Sequence, residues 1–128
     1  FNAATNLEAK GLETYMLTPS GKPSSSGSKA EADATSYPGN RFDSANFALA
    51  FGVQKALVEK LNREDRGVKK ARFRVLKTLD CPGVLVECGF LSNHEEALLA
   101  STAGYRERVA LALAQSIADY AKAIDEKT

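Results

Sequence analysis

The stretch GVLVECGFLSN, residues 83–93, sets an apolar run of strand character, Val84-Leu85-Val86, directly against a glutamate. Glu87 is followed by Cys88-Gly89-Phe90-Leu91, again small or apolar, so its carboxylate stands where desolvation is costly unless something pairs with it or uses it. The nearly continuous apolar character of GVLVE suits a sheet interior with both faces covered. Upstream, Asp80-Cys81-Pro82-Gly83 reads as a turn. Before it, RFRVLK, residues 72–77, alternates basic and apolar side chains as a strand with one wet side does. The short Pro-Gly connection predicts that RFRVLK and GVLVE are neighbours in one sheet.

Further from that centre, GLETYML, residues 11–17, has the Thr and Tyr content and the flanking Gly and Thr-Pro-Ser of another strand. Residues 18–40 are rich in Ser, Gly, Ala and Pro without apolar period, and predict a variable, mobile loop. Residues 43–65 have helical periodicity. Asp43 or Ser44 is placed to cap the start, Ala50, Val53, Leu57 and Leu61 form one face, Phe47 and Phe51 widen it, and Gly67 closes the helix. Ser92-Asn93 begins a short helix, HEEALLAS, with Glu95 and Glu96 in the first turn, where acidic residues favour the dipole. Residues 103–125 predict a long helix with Tyr105, Val109, Leu113, Ile117, Tyr120 and Ile124 in one stripe. Strands alternating with helices define an α/β class, a layered sheet with flanking helices.

The 128 residues suit a single domain, long enough to bury ~65% of the unfolded surface. Seventeen basic residues against sixteen acidic ones leave a net charge of +1, which argues against a strong electrostatic grip on nucleic acid or anionic membrane. No run approaches the ~18–20 apolar residues of a membrane span. The chain starts at Phe1 rather than methionine and reads as processed or trimmed, with room for a targeting segment in the part removed. Cys81 and Cys88 bracket the predicted strand. Seven extended steps separate them by roughly 23 Å, far beyond the ~7 Å a disulfide spans, so both are expected to be free, partly buried thiols.

The residues leave two roles open for Glu87. At the carboxyl end of an apolar strand, where ligands sit in open α/β sheets, a half-buried carboxylate suits a general acid or base. The same residue also serves as a structural glutamate paired with a Lys or Arg. His94, the single histidine, cannot alone build a three-ligand zinc site, and no HExxH or CxxC spacing occurs; an exposed position at a helix start is expected for it. GxSxG, P-loop and GxGxxG patterns are absent, and Cys88 lacks the basic neighbours that activate a thiolate.

Five segments in order resemble the zinc-dependent N-acetylmuramoyl-L-alanine amidases of type 3: NAATN leading into GLETYML, ANFALAFGVQKAL, DRGVKKARFRVLK, CPGVLVECGFLSNHEE and YRERVALALAQSIADY. The likeness runs through nearly the whole chain except the 18–40 loop. It implies the amidase type 3 (phosphorylase/hydrolase-like) fold, with this chain as the C-terminal portion of one catalytic domain. It also implies hydrolysis of the amide between N-acetylmuramic acid and the first L-alanine of the stem peptide, in cell-wall remodelling or cell separation, by a secreted enzyme of the periplasm or cell wall. Peptidoglycan is then the partner, and oligomeric state is left open. Glu87 falls on the glutamate of the Val-Glu-x-Gly-Phe signature, which the resemblance makes the catalytic acid/base. A Zn2+ cofactor is implied too, but its two histidines and glutamate are expected upstream of Phe1, the last histidine immediately before it. No metal ligand is therefore expected within this chain, and Glu87 is expected beside residues 1–6. The competing function is a truncated, non-catalytic module that binds peptidoglycan or a partner protein.

Overall fold

The computed structural model describes residues 1–25 and 31–126. Three strands form one sheet: β1 (Leu12–Leu17), β2 (Asp65–Ala71) and β3 (Leu85–Glu87), in the order β2-β1-β3. β1 and β2 are parallel, joined through a 3-10 turn (Pro38–Phe42) and helix α1 (Asp43–Leu61), and so form a βαβ unit. β3 is antiparallel to β1. A one-turn helix α2 (Arg74–Lys77) follows β2, and α3 (His94–Ser101) and α4 (Ala103–Asp125) close the chain.

β1 shows why the sheet has two unlike faces. Alternation sends Leu12, Thr14 and Met16 one way and Glu13, Tyr15 and Leu17 the other. The first set meets α1: Leu12 joins Leu49, Val53, Leu57 and Leu61 in the core, together with Tyr105, Val109 and Ala112 of α4. Each such fully buried aliphatic side chain contributes about 1.5–3 kcal/mol. A polar bolt crosses this layer at Gln54. Its amide accepts from Thr14 Oγ1 (2.9 Å) and donates to the Leu12 carbonyl (2.8 Å) and to Asp65 Oδ1 (2.7 Å), tying α1 to both parallel strands.

Several expectations are corrected. RFRVLK is not a strand: the ladder partner of β1 is DRGVKKA, and the chain leaves the sheet after Ala71. Arg72 is the reason. Its guanidinium is withdrawn from the strand path and donates to the carbonyls of Lys22 (2.6 Å) and Glu31 (3.2 Å) and to Ser24 Oγ (3.2 Å). Leu76 alone is then buried, in α2, while Phe73 and Val75 remain exposed. Because β1 lies between them, β2 and β3 are not neighbours. GVLVE contributes a half-buried, three-residue strand at the edge of the described sheet, not an interior one.

Asn62, not Gly67, closes α1, in the left-handed region at φ 49° with its N–H on the Val58 carbonyl (3.0 Å). Gly67 instead serves a bulge in β2. The register slips between Leu12↔Asp65 and Thr14↔Val68, and Gly67, at φ 80°, takes the backbone turn with its N–H on Asp65 Oδ1 (2.8 Å). The α1 N-cap is Phe42, with no side-chain bond from Asp43 or Ser44. Phe47 and Phe51 do not widen the buried face. They stand more than half exposed and pack on each other at 4.5 Å, while Asn46 and Gln54 are buried in their place. On α4, Ile117 and Ile124 face outward and Ala112 and Ser116 inward, because small residues let α1 approach. Of the 18–40 loop predicted to be mobile, residues 26–30 lie outside the described residues. Either side of them the loop is held, by Arg72 and by Ser25, which exchanges bonds with the Lys70 backbone in both directions (2.8 Å each). Cys81 and Cys88 are free as expected, but Cys81 is exposed rather than partly buried. Among the described residues no helix is long and apolar enough to cross a membrane.

Candidate active site

Glu87 ends β3 and pairs in register with Glu13 on β1. Directly opposite residues share a face, so both carboxylates lie on the side of the sheet away from α1. β3 runs against β1 and β2, which places Glu87 beside the beginning of the parallel pair, not at their carboxyl ends. The segment after Glu87 is fixed by the first residues of the chain. Asn2 N–H donates to the Gly89 carbonyl (2.8 Å), Leu91 N–H donates to the Asn2 carbonyl (2.8 Å), and Asn2 and Phe90 form a parallel bridge. The expected proximity to residues 1–6 is thus present: the Phe1 amino nitrogen is 3.4 Å from Glu87 Oε2. The contact lacks hydrogen-bond geometry. Oε2 is buried and accepts no hydrogen bond from the described residues.

The two carboxylates have opposite surroundings. Glu13 is fully buried and saturated. Oε2 accepts from Lys69 Nζ (2.6 Å) and Arg66 Nε (3.0 Å), and Oε1 accepts from Asn2 Nδ2 (3.3 Å) and Tyr15 Oη (3.3 Å). Burial by itself would raise its pKa, but the hydrogen bonds and charges of Lys69 and Arg66 outweigh that and hold it below the ordinary glutamate value. Tyr15 is pushed up to about 12, first by burial and then by the Glu13 charge, so its phenol stays protonated and donates. Arg66 also lies over the Phe90 ring, 4.7 Å from its centroid. Glu13 is therefore a fixed anion that organises donors, whereas Glu87 keeps a buried oxygen that accepts no hydrogen bond from the described residues.

A carboxyl whose folded pKa lies below its unfolded one stabilises the protein above the unfolded value, and that contribution fades as pH falls through the folded value. The stability gap between the unmodified protein and Glu13→Gln is accordingly expected to be full at neutral pH and to shrink from about pH 4–5 downward. Urea unfolding across that range measures it. A gap unchanged down to pH 3 would show that the Glu13 pairs do not contribute to acid sensitivity.

A third glutamate holds the frame. Glu96 is buried in the first turn of α3, where Asn93 caps the helix by accepting from Glu96 N–H (3.2 Å). Its carboxylate accepts from Gly11 N–H (2.8 Å) at the start of β1, from Phe90 N–H (2.7 Å) just past Glu87, and from Arg63 Nη2 (3.2 Å). Gly89, at φ 139°, lies close against it: a Cβ there would stand 3.1 Å from Glu96 Oε2. One side chain thus sets the approach of both segments that carry the carboxylate pair. His94, the first residue of α3, is exposed as expected. Burial pushes the Cys88 thiol up, which keeps it protonated and unreactive. Among the described residues no group of three or more His, Cys, Asp or Glu is placed to hold a metal ion.

Sequence reasoning passed over Glu13, Arg66, Lys69 and Glu96. For Glu13 the signal was present: a carboxylate between Leu12 and Thr14 in an apolar strand raises the same question as Glu87.

Fold and site together define an α/β domain whose sheet carries, on one face, a general-base candidate beside a charge-saturated partner. The chain belongs to the N-acetylmuramoyl-L-alanine amidase family, whose sequence model matches residues 1–119. It is 30% identical over 119 residues to the N-acetylmuramoyl-L-alanine amidase LytC of Bacillus subtilis, covering 93% of this chain and 23% of that protein. It is 42% identical over 55 residues to AmiA of Escherichia coli, an amidase of the same name, covering 43% of this chain and 19% of that one. Its fold matches the crystal structure of an N-acetylmuramoyl-L-alanine amidase from Clostridium difficile 630 with a TM-score of 0.72 and 25% identity, over 95% of this chain and 54% of that one. The chain thus spans about half of the solved domain and less than a quarter of either curated relative.

Proposed function

We propose that the protein carrying this chain hydrolyses the amide bond between N-acetylmuramic acid and the L-alanine of the stem peptide in peptidoglycan, with Glu87 as the proton-transferring group. Family membership supports the reaction. The observation that carries the role of Glu87 is its buried Oε2, which no described residue engages by a hydrogen bond. A carboxylate kept only for structure would be saturated, as Glu13 is. An acid/base group must instead leave one oxygen for the proton it moves. Glu87 takes a proton from the attacking water and returns it to the departing amine nitrogen of alanine, so that the amine leaves neutral. Burial of Oε2 keeps bulk water from competing for that proton.

The family implies zinc, which in such hydrolyses polarises the carbonyl and makes bound water more acidic. The described residues do not fit a zinc site on their own, since no cluster of three ligating side chains exists among them. What this chain brings to the reaction is the acid/base group and its frame. A peptidoglycan substrate places the protein in the cell envelope.

Incubating the intact protein with purified sacculi is expected to free stem peptides that begin with alanine and to leave glycan strands with bare lactyl groups. Mass spectrometry of the soluble and insoluble fractions measures both. Binding to sacculi without any new alanine N-terminus would overturn the hydrolase reading in favour of a binding module.

A further inference from the structure

We propose that Arg66 and Lys69, both anchored on Glu13, form a binding site for a carboxylate on the peptide side of the substrate, next to Glu87. This deepens the amidase reading and rests on it. Two cations converge on one carboxylate oxygen, with Lys69 Nζ at 2.6 Å and Arg66 Nε at 3.0 Å from Glu13 Oε2. Neither is used up. Beyond its Nε bond, Arg66 makes only a long contact from Nη1 to the Lys10 carbonyl (3.4 Å), and its Nη2 makes no hydrogen bond among the described residues. Lys69 donates to Glu13 and to no other described residue. Both side chains are about a quarter exposed, at 28% and 26%, so their unspent N–H groups reach solvent while their stems are held.

A structural ion pair needs one cation for one buried anion. Here the second charge and the open fork of Arg66 remain after Glu13 is satisfied. A guanidinium fixed on one edge by Nε and on one face by the Phe90 ring presents its other edge in a set plane, which suits a planar carboxylate. These contacts already restrict the guanidinium, so binding an anion costs less further side-chain entropy. The position selects the ligand. Glu13 is the cross-strand partner of Glu87, and such pairs lie about 5 Å apart at Cα. An extended peptide advances ~3.3–3.6 Å per residue. A peptide whose first amide is attacked beside Glu87 therefore brings the carboxylate of its first or second residue to Arg66 and Lys69. The chemical class is a muramyl peptide with a free carboxylate one or two residues beyond the scissile amide.

The test uses the intact protein and two synthetic muramyl-L-alanyl dipeptides that differ only in the second residue's α-substituent, a carboxylate in one and a carboxamide in the other. The unmodified protein is expected to favour the carboxylate by roughly 10–100-fold in kcat/KM, the range of a charge-assisted hydrogen-bond pair. Arg66→Gln and Lys69→Gln are each expected to compress that ratio, chiefly through KM. Arg66→Lys, which keeps the charge and loses the fork, should fall between. A role confined to holding the fold lowers both substrates together and leaves the ratio unchanged. Cleavage of both dipeptides at equal efficiency by the unmodified protein overturns the carboxylate site and leaves the amidase reading standing. Cleavage of neither dipeptide, with sacculi also untouched, sinks the amidase reading and this inference with it. If either Gln variant does not fold, the ratio in the unmodified protein and in Arg66→Lys decides.

Discussion

Glu87→Gln in the intact protein is expected to lower release of stem peptide by about 10²–10⁴-fold, the usual contribution of a positioned acid/base group, without loss of stability. Glutamine keeps the length and most of the hydrogen-bonding capacity of the side chain, but cannot accept a proton from water at neutral pH or return one to an amine. Stability should hold or rise, because the buried Oε2 of Glu87 has no hydrogen-bond donor to lose, and a neutral amide costs less to desolvate than a charge. The rival role predicts the reverse. Were Glu87 kept for a structural ion pair, the substitution would lower the melting temperature and spare turnover. Melting temperature and peptide release measured on one preparation separate the two. Near-normal release by a folded Glu87→Gln protein would remove Glu87 from the mechanism.

The contrast between Glu87 and Glu13 also shows what the sequence made legible. A charge at the end of Val84-Leu85-Val86 is conspicuous because nothing local pays for its desolvation, and the structure leaves that carboxylate half-buried with one oxygen that accepts no hydrogen bond from the described residues. The helices were read well where period and caps agreed. Asn93 does begin HEEALLAS, and residues 103–125 are helical to the residue. The errors arose where a local period competed with a long-range hydrogen bond. RFRVLK alternates as convincingly as any strand, yet Arg72 is drawn to carbonyls around Lys22 and Glu31, some 40 to 50 residues away in sequence. Gly67 suited a helix end, but Asn62 had already stopped the helix and the glycine was required at a bulge. The cation site was harder still. Arg66 and Lys69 look like solvated charges in DRGVKKA, and only the pairing of β2 with β1 brings them to Glu13.

The side chain with the largest structural leverage is predicted to be Glu96, which the sequence marks only as an acidic residue in a helix's first turn. Glu96→Ala is expected to destabilise the protein by about 3–5 kcal/mol, the cost of breaking a buried ion pair by removing one partner. Three donors lose their acceptor at once: the backbone N–H groups of Gly11 and Phe90, both in buried positions, and the Arg63 guanidinium, whose Nε is itself buried without a bond. Gly11 and Phe90 flank the carboxylate pair, one leading into Glu13 and the other following Glu87. Their release should therefore also loosen the spacing on which proton transfer depends. Glu96→Gln keeps one acceptor but turns an NH2 group toward a backbone N–H, so it should fall between the alanine variant and the unmodified protein. Glu95→Ala is the control, since that carboxylate meets Arg63 and Lys10 at an exposed surface, where ion pairs contribute little. Urea midpoints at constant m-value measure the series. A loss below about 1 kcal/mol for Glu96→Ala, or a loss matched by Glu95→Ala, would show that the frame around Glu87 is set by backbone packing instead of by this carboxylate.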